Sequence, residues 1–334
     1  MKLGRPLLIL VMALCLAIPG WLAARQAILN HRAQPDAEPK IVDIPTGLGL
    51  GDVTRLLNNA GVVDHPLLFK LAARLTARHQ SLKAGEYRLS ASLSYDAILE
   101  TLHRGRVLMH VVTLPEGFTL EQILDRLAQA GLVDRKNAQD LANDQDYLNE
   151  LGIKSDSMEG FLFPDTYSFA KGLSANAILG RMYRRFKSAW QPLAPAAQEM
   201  GLSRLQAVTL ASIIERETSL DSERPLVSAV YHNRLRRKMP LQADPTVIYG
   251  MDDFTGNLTR EDLHNDTPYN TYTRAGLPPG PICSPGRASL HAAVHPAKAD
   301  YLYFVARGDG SHHFSAAYRE HVNAVNRYQK KRRR

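Results

Sequence analysis

Residues 205–250 read LQAVTLASIIERETSLDSERPLVSAVYHNRLRRKMPLQADPTVIYG. The first part has helical periodicity, with Ala207, Val208, Leu210, Ala211, Ile213 and Ile214 crowding one side. At about 100° per residue, Arg216 projects away from that stripe, and Glu215 and Glu217 lie on its two opposite edges, each roughly 70–90° from the apolar centre. A carboxyl at the edge of a buried face is partly desolvated, and its pKa rises toward the range of a general acid. A solvated helix rim carries the same pattern, so the helix by itself leaves both readings open.

After Thr218 the chain is polar, then helix-like again from Pro225 to Arg237. The loops LQADPTVIYG (241–250) and TPYNTYTRAGLPPGPICSPG (267–286) follow. Tyr249, Tyr269 and Tyr272 offer flat faces with a polar tip, and Gln242 and Asn270 offer paired donors and acceptors. Sugars present apolar C–H faces and many hydroxyls, which such a lining suits. Ordinary loops are also rich in these residues.

Several segments resemble the YceG/MltG family of membrane-anchored endolytic murein transglycosylases. They are EGFLFPDTYSF (159–169), LASIIERET (210–218), LQADPTVIYG (241–250), TPYNTYTRAGLPPGPI (267–282) and HPAKADYLYFVA (295–306). The resemblance implies an α+β architecture: one N-terminal transmembrane helix, a LysM-like α/β module and a lysozyme-like mixed catalytic domain. It also implies one essential glutamate near a helix end, followed by Ser or Thr. Glu217-Thr218 matches that pattern and Glu215-Arg216 does not, so Glu217 is expected to be the catalytic residue.

Upstream, residues 6–24 (PLLILVMALCLAIPGWLAA) form a 19-residue run without charge. A bilayer core needs about 20 apolar residues in a helix, so the run is long enough to span. Lys2 and Arg5 precede it and mark residues 1–5 as a cytoplasmic tail, with the bulk of the chain on the periplasmic side of an inner membrane. A cleaved signal peptide has a shorter apolar core, of about 7–15 residues; an uncleaved anchor is therefore expected. Residues 25–40 read as a polar tether, 41–106 as the LysM-like module and 107–334 as the catalytic domain. Cys283 is the one cysteine outside the apolar run, so no intramolecular disulfide is expected.

The segment VDIPTGLGLGDVTRLLNNAGVVD (42–64) aligns without gaps to VTLPEGFTLEQILDRLAQAGLVD (112–134) at an offset of 70. Each copy reads as a short strand, a Pro–Gly turn and an amphipathic helix stopped by glycine. After the first copy a helix is expected over 65–78 and a strand over 82–90. A helix over 94–105 follows, with Ser94 as N-cap and Gly105 as stop. In EGFLFPDTYSF, the aromatics Phe161, Phe163, Tyr167 and Phe169 read as core strand packing.

The chemistry implied by the resemblance is cleavage of the β-1,4 bond between N-acetylmuramic acid and N-acetylglucosamine without water. Glu217 as a neutral acid protonates the bridging oxygen. As the resulting carboxylate it accepts the muramyl C6 hydroxyl proton while a 1,6-anhydro ring closes. Gln242, Asp244, Tyr269, Asn270 and Tyr272 are expected to grip the glycan. Inverting or retaining hydrolysis would instead need a second carboxylate facing Glu217, for which Asp165, Asp221 and Asp244 are the candidates. The expected partners are glycan strands, wall synthases and the membrane.

Net charge is +8, part of it in the tail QKKRRR (329–334), and an exterior chain reads this toward a polyanionic wall rather than nucleic acid. Among 12 histidines, His291/His295 and His312-His313 are the close pairs. No HExxH accompanies them, and no metal or other cofactor is expected. A membrane-anchored scaffold without catalysis, and a hydrolase with a positioned water, are the competing readings.

Overall fold

The computed structural model describes residues 5–251 and 253–330, with side chains placed from Ile9 to Gln329 apart from residue 252. Residues 1–4 of the expected cytoplasmic tail and the basic tail from 331 lie outside the described residues. The fold is mixed α/β and mostly helical, and the chain divides into two units. The first comprises Met1–His110 and Ser168–Gly172; the second comprises Val111–Tyr167 and Leu173–Arg334.

In the first unit, α1 runs from Arg5 to Asn30. Leu10, Met12, Leu16 and Trp21 stand exposed along it. Its 26 residues measure about 39 Å, longer than a hydrocarbon core of about 30 Å. It is the one helix among the described residues long and apolar enough to cross a membrane. The helix continues past the expected start of the tether. Leu29 is buried in the core of this unit and Ile28 packs against it, so apolar burial holds residues 25–30 in the helix.

Strand β1 (Lys40–Ile44) pairs antiparallel with β2 (Gly85–Leu89), with Val42 opposite Tyr87. Between them come α2 (Leu50–Asn59) and α3 (Pro66–Leu75), and α4 (Tyr95–Arg104) follows. Val42, Ile44, Leu57, Phe69, Tyr87 and Leu89 meet in the core. Ser94 caps α4 by accepting from Ala97 N, and Gly105 ends it in the left-handed region at φ 67°. On β2, the buried Glu86 carboxylate meets His110 Nε2 at 2.6 Å and Lys171 Nζ at 3.1 Å, which ties residues 168–172 to this unit.

Strand β3 (Met109–Thr113) pairs with β4 (Thr166–Ala170). Between them lie α5 (Leu120–Gln129), α6 (Arg135–Ala142) and α7 (Gln145–Leu151). The internal repeat is reproduced in three dimensions: α2 and α5 start at 50 and 120 and end at 59 and 129. The turn glycines Gly47 and Gly117 have φ 84° and 79°, and Gly61 and Gly131 after the helices have φ 72° and 66°. Phe161, Phe163, Tyr167 and Phe169 are buried as expected, although the regular strand starts only at Thr166.

The second unit continues with α8 (Ala175–Trp190), α9 (Ala194–Glu199), α10 (Arg204–Glu217), α11 (Arg224–Arg236) and α12 (Asp244–Tyr249). It ends with α13 (Arg287–Val294), the antiparallel pair β5 (Tyr303–Ala306) and β6 (His312–Ser315), and α14 (Tyr318–Val325). Ser203 and Gln206 form a reciprocal cap that starts α10. Every residue from Ala207 to Ile214 is buried, so α10 is a central helix covered all round, not an amphipathic one with a single apolar face. Ser212 and Thr209 are small enough to be enclosed, and Ser212 Oγ donates to Thr209 O at 2.7 Å. α10 packs against α13 and α11.

Candidate active site

Glu217 is the last residue of α10, and Thr218 leaves the helix in extended conformation (φ −142°, ψ 138°). The helix therefore ends where its polar side chains emerge from the core. Tyr231, buried on α11, donates its hydroxyl to Glu217 Oε1 at 2.7 Å. Burial pushes the Glu217 pKa up to about 7; the Tyr231 bond and Arg234 pull against it, and the Asp244 charge adds to it. The negative end of the helix dipole works in the same direction as burial. A carboxyl titrating near neutrality can give a proton and take one back at the working pH.

Two loops that carry groups electrostatically coupled to this carboxyl are stitched to each other. Gln242 N donates to Thr271 O at 3.0 Å, and Ala243 N donates to Thr271 Oγ1 at 3.0 Å. Gln242 itself lies at φ 50°, a left-handed conformation, and its Oε1 accepts from Arg234 Nη1 at 3.3 Å. Arg234 is buried and is held by Leu241 O (2.7 Å) and Leu302 O (2.8 Å). Tyr272 Oη donates to Asp244 Oδ1 at 2.5 Å. Burial raises the Tyr272 pKa, and Asp244 and Glu217 add to the rise. Glu217, Asp244, Tyr272 and Arg234 are thus electrostatically coupled, with Gln242 bonded to Arg234.

Asn270 and Tyr269 are placed differently from that group. Asn270 is fully buried; its Nδ2 donates to Asn265 O at 2.7 Å and its Oδ1 accepts from Tyr272 N at 2.8 Å. Its amide holds the loop that carries Tyr272. Tyr269 packs its ring against Tyr249, with centroids 4.8 Å apart. Tyr249 donates to Glu159 at 3.2 Å. Glu159 is buried, and both of its oxygens accept from Leu120 N at 3.0 Å. Burial lifts its pKa to about 7 against those bonds. A cavity of about 820 Å³ opens beside it, lined by Gln122, Asn143, Arg216, Tyr249 and Phe254 among others.

Glu215 is committed elsewhere. It accepts from Gly286 N at 2.9 Å and pairs with Arg224 at 3.4 Å, with both side chains under one-tenth exposed. Arg224 also bonds Ser289 Oγ at 3.0 Å and pairs with Asp221. Asp165 pairs with Arg185 at 2.7 Å. Of the expected second carboxylates, Asp244 is the one whose charge acts on Glu217.

Glu116 is a residue the sequence reading missed. It stands in the Pro–Glu–Gly turn of the second repeat copy, where the first copy has Thr46. Gly117 N donates to Ser284 O and Ser284 N donates to Phe118 O, at 2.9 and 2.8 Å, which docks this turn on the loop 281–286. Burial raises the Glu116 pKa, and the Glu215 charge raises it further. Glu116, Glu215, Arg216, Glu217 and Thr218 line one opening of about 290 Å³. Arg216 lines both this opening and the larger cavity. The unmatched acid in an otherwise aligned repeat was the available signal for Glu116. Tyr231 and Arg234 carried none, because both sit inside an ordinary helix pattern.

Thr218 is buried, and its Oγ1 donates to Glu223 Oε2 at 3.3 Å while accepting from Leu220 N at 3.1 Å. Glu223 in turn meets His312 Nδ1 at 2.7 Å and accepts from His312 N at 2.8 Å. The threonine after the acid therefore fixes the turn by which the chain leaves α10. The rings of His291 and His295 stack at 4.2 Å, and His295 Nδ1 lies 3.2 Å from His291 O.

A family model described as the YceG-like family matches residues 42–327. A Bacillus subtilis protein named endolytic murein transglycosylase is 31% identical over 304 residues, covering 86% of this chain and 84% of its own. A Streptococcus pneumoniae protein of the same name is 30% identical over 315 residues, covering 84% of this chain; the match spans 57% of that longer protein. A crystal structure of a YceG-like protein from Listeria monocytogenes superposes with a TM-score of 0.60 at 30% identity. That superposition covers 86% of this chain and 99% of the other.

Proposed function

Because the chain belongs to the YceG-like family, we propose that it is an endolytic murein transglycosylase, a lytic enzyme acting on peptidoglycan glycan strands. The observation that carries the mechanism is the Glu217 carboxyl at the end of α10. It is lifted to a pKa of about 7 by burial and held by Tyr231. In its neutral form it protonates the oxygen bridging N-acetylmuramic acid and N-acetylglucosamine, and that C–O bond breaks. The substrate acetamido group stabilises the cationic sugar, so no protein nucleophile is required. The Glu217 carboxylate then takes the C6 hydroxyl proton as the C6 oxygen bonds to C1, giving a 1,6-anhydro end and restoring the acid. Water takes no part, and the proton returns to the group that gave it.

Asp244 and Tyr272 stand beside this carboxyl and bind the sugar on one side of the bond. Gln242 presents its amide from the same loop. Asn270 acts through Tyr272 by holding its backbone. Tyr269, with Tyr249, serves a more distant part of the strand. The strand–helix–helix–strand order of β1, α2, α3 and β2 supports the LysM-like reading of the first unit. The all-round burial of α10 supports a lysozyme-like core built on a central helix that ends in the acid.

The exposed apolar helix acts as an uncleaved single-pass anchor through residues 6–24, with Lys2 and Arg5 on the cytoplasmic side. The enzyme then cuts strands next to the membrane-bound synthases that extend them, and terminates their elongation. The direct test is product analysis. Purified glycan incubated with the protein should gain 1,6-anhydro ends; reducing muramic acid ends instead would indicate a positioned water and a hydrolase.

A further inference from the structure

Where the apolar helix of the first unit ends, three side chains from separate stretches of sequence converge. His31 directly follows α1, and Asp64 and His65 directly precede α3. His31 Nε2 lies 3.0 and 3.1 Å from the two Asp64 oxygens. His65 Nε2 lies 3.6 Å from Asp64 Oδ2. One ligand atom from each residue falls within 4.8 Å of the others. We propose that His31, Asp64 and His65 form a binding site for a divalent transition metal, with Zn²⁺ the ion that best matches the donors.

Two imidazole nitrogens and one carboxylate are a borderline donor set, suited to Zn²⁺ and its neighbours rather than to Mg²⁺ or Ca²⁺. Tetrahedral Zn²⁺ with bonds of about 2.0 Å places its ligand atoms about 3.3 Å apart. From Asp64 Oδ2, the oxygen not bonded to Tyr95, the two imidazole nitrogens lie at 3.1 and 3.6 Å, which bracket that value. Asp64 and His65 are partly exposed, which leaves a fourth position for water.

Tyr95 makes this a built arrangement. It is fully buried, and its hydroxyl donates to Asp64 Oδ1 at 2.7 Å while accepting from His65 N at 3.0 Å. Its backbone N–H donates to His31 O at 3.0 Å. One residue therefore fixes the carboxylate and the backbones of both histidines, in the way outer partners orient metal ligands. Positions 31 and 64 are 33 residues apart, so the ion would cross-link the end of the apolar helix to the α2–α3 turn.

The test uses the full chain in detergent micelles, without a polyhistidine tag and stripped by chelator, titrated with Zn²⁺ by calorimetry. One equivalent is expected to bind, with no response to Mg²⁺ or Ca²⁺. His65→Ala should weaken binding at least about 10-fold, and Tyr95→Phe about 10–100-fold. The His65 side chain is 60% exposed, so His65→Ala should melt like the parent in chelator, which separates loss of metal from loss of fold. Absence of Zn²⁺ binding overturns the proposal. Binding that survives the His31→Ala, His65→Ala double change also overturns it, by placing the ion on other histidines. Glycan cleavage is not read in this experiment, so its outcome is independent of the transglycosylase reading.

Discussion

Tyr231 Oη donates to Glu217 Oε1 at 2.7 Å, and the two residues sit on consecutive helices, with Tyr231 fully buried and Glu217 partly so. The bond favours the charged form of Glu217 and so restrains the rise that burial causes. Tyr231→Phe removes the restraint, and the Glu217 pKa moves further up. A hydrogen bond to a charged group is worth about 1.5 kcal/mol, or about one pH unit. The alkaline limb of the pH–rate profile, where the acid is lost, should therefore shift upward by about one unit. A profile that stays in place would show that the bond does not tune the acid.

The raised pKa has a cost in stability with a definite sign. Glu217 titrates at about 7 when folded, and a free glutamate titrates at about 4.3. The folded state holds the proton longer, so stability is full below about pH 4 and falls as pH rises toward 7. Glu217→Gln keeps the shape without the charge. Denaturant unfolding should show it more stable than the parent at pH 8, by about 1–3 kcal/mol, with no gain at pH 4. Glu159→Gln should behave alike, since burial sets its pKa at about 7 too.

Gly286 is the point where the second repeat turn meets the end of α10. A Cβ there would overlap the Glu116 carboxyl atoms, although the Gly286 backbone (φ −75°) suits any residue. The Glu116 carboxyl is the end of an exposed, flexible side chain and can swing aside, so Gly286→Ala should cost no more than about 1 kcal/mol. In a Glu116→Ala background the same change should cost well under half as much. Equal costs in both backgrounds would mean that Glu116 is not held against the glycine.

The Glu86 carboxylate on β2 provides a contrast. Burial acts to raise its pKa, but Lys171 and His110 outweigh it and hold the carboxyl below its ordinary value. Such a group stabilises above the unfolded pKa, and its contribution is lost as pH falls through the folded one. Lys171 is 46% exposed, so screening limits the effect. Glu86→Ala should lower unfolding free energy by about 1–2 kcal/mol at pH 7. The gap should close below pH 4 in a denaturant titration.

Local signals were legible where one residue decides local geometry. Ser94 and Gly105 bound α4, and the offset of 70 returned the same helix twice. The apolar stripe of α10 was misleading because Thr209 and Ser212 look like a polar face. They are enclosed, and Ser212 also accepts from Ile282 N at 3.0 Å, so their polarity is satisfied inside. The tether reading failed at Ile28 and Leu29, whose burial comes from tertiary contact and not from local periodicity. Within the candidate site, the Glu–Thr pattern of the resemblance singles out Glu217, and the loop motifs single out Gln242, Asp244 and Tyr272, three residues that the structure links to one another or to Arg234. Tyr269 and Asn270 occur in the same motif, and sequence alone could not separate a cleft residue from one that braces it. Tyr231 and Arg234 act on the carboxyl through the packing of α11 against α10, and Glu116 acts on Glu215 from a turn far away in sequence.

The central claim is that Glu217 carries both proton transfers, and its most direct test is a digest of purified glycan by the protein beside its Glu217→Gln variant. Products are read by mass spectrometry. The account predicts new 1,6-anhydro ends from the parent and a rate about 10²–10⁴-fold lower from the variant. The variant should remain folded and be no less stable at pH 8. Anhydro ends forming at near-parent rate with Glu217→Gln would contradict the account and move the acid to another carboxyl.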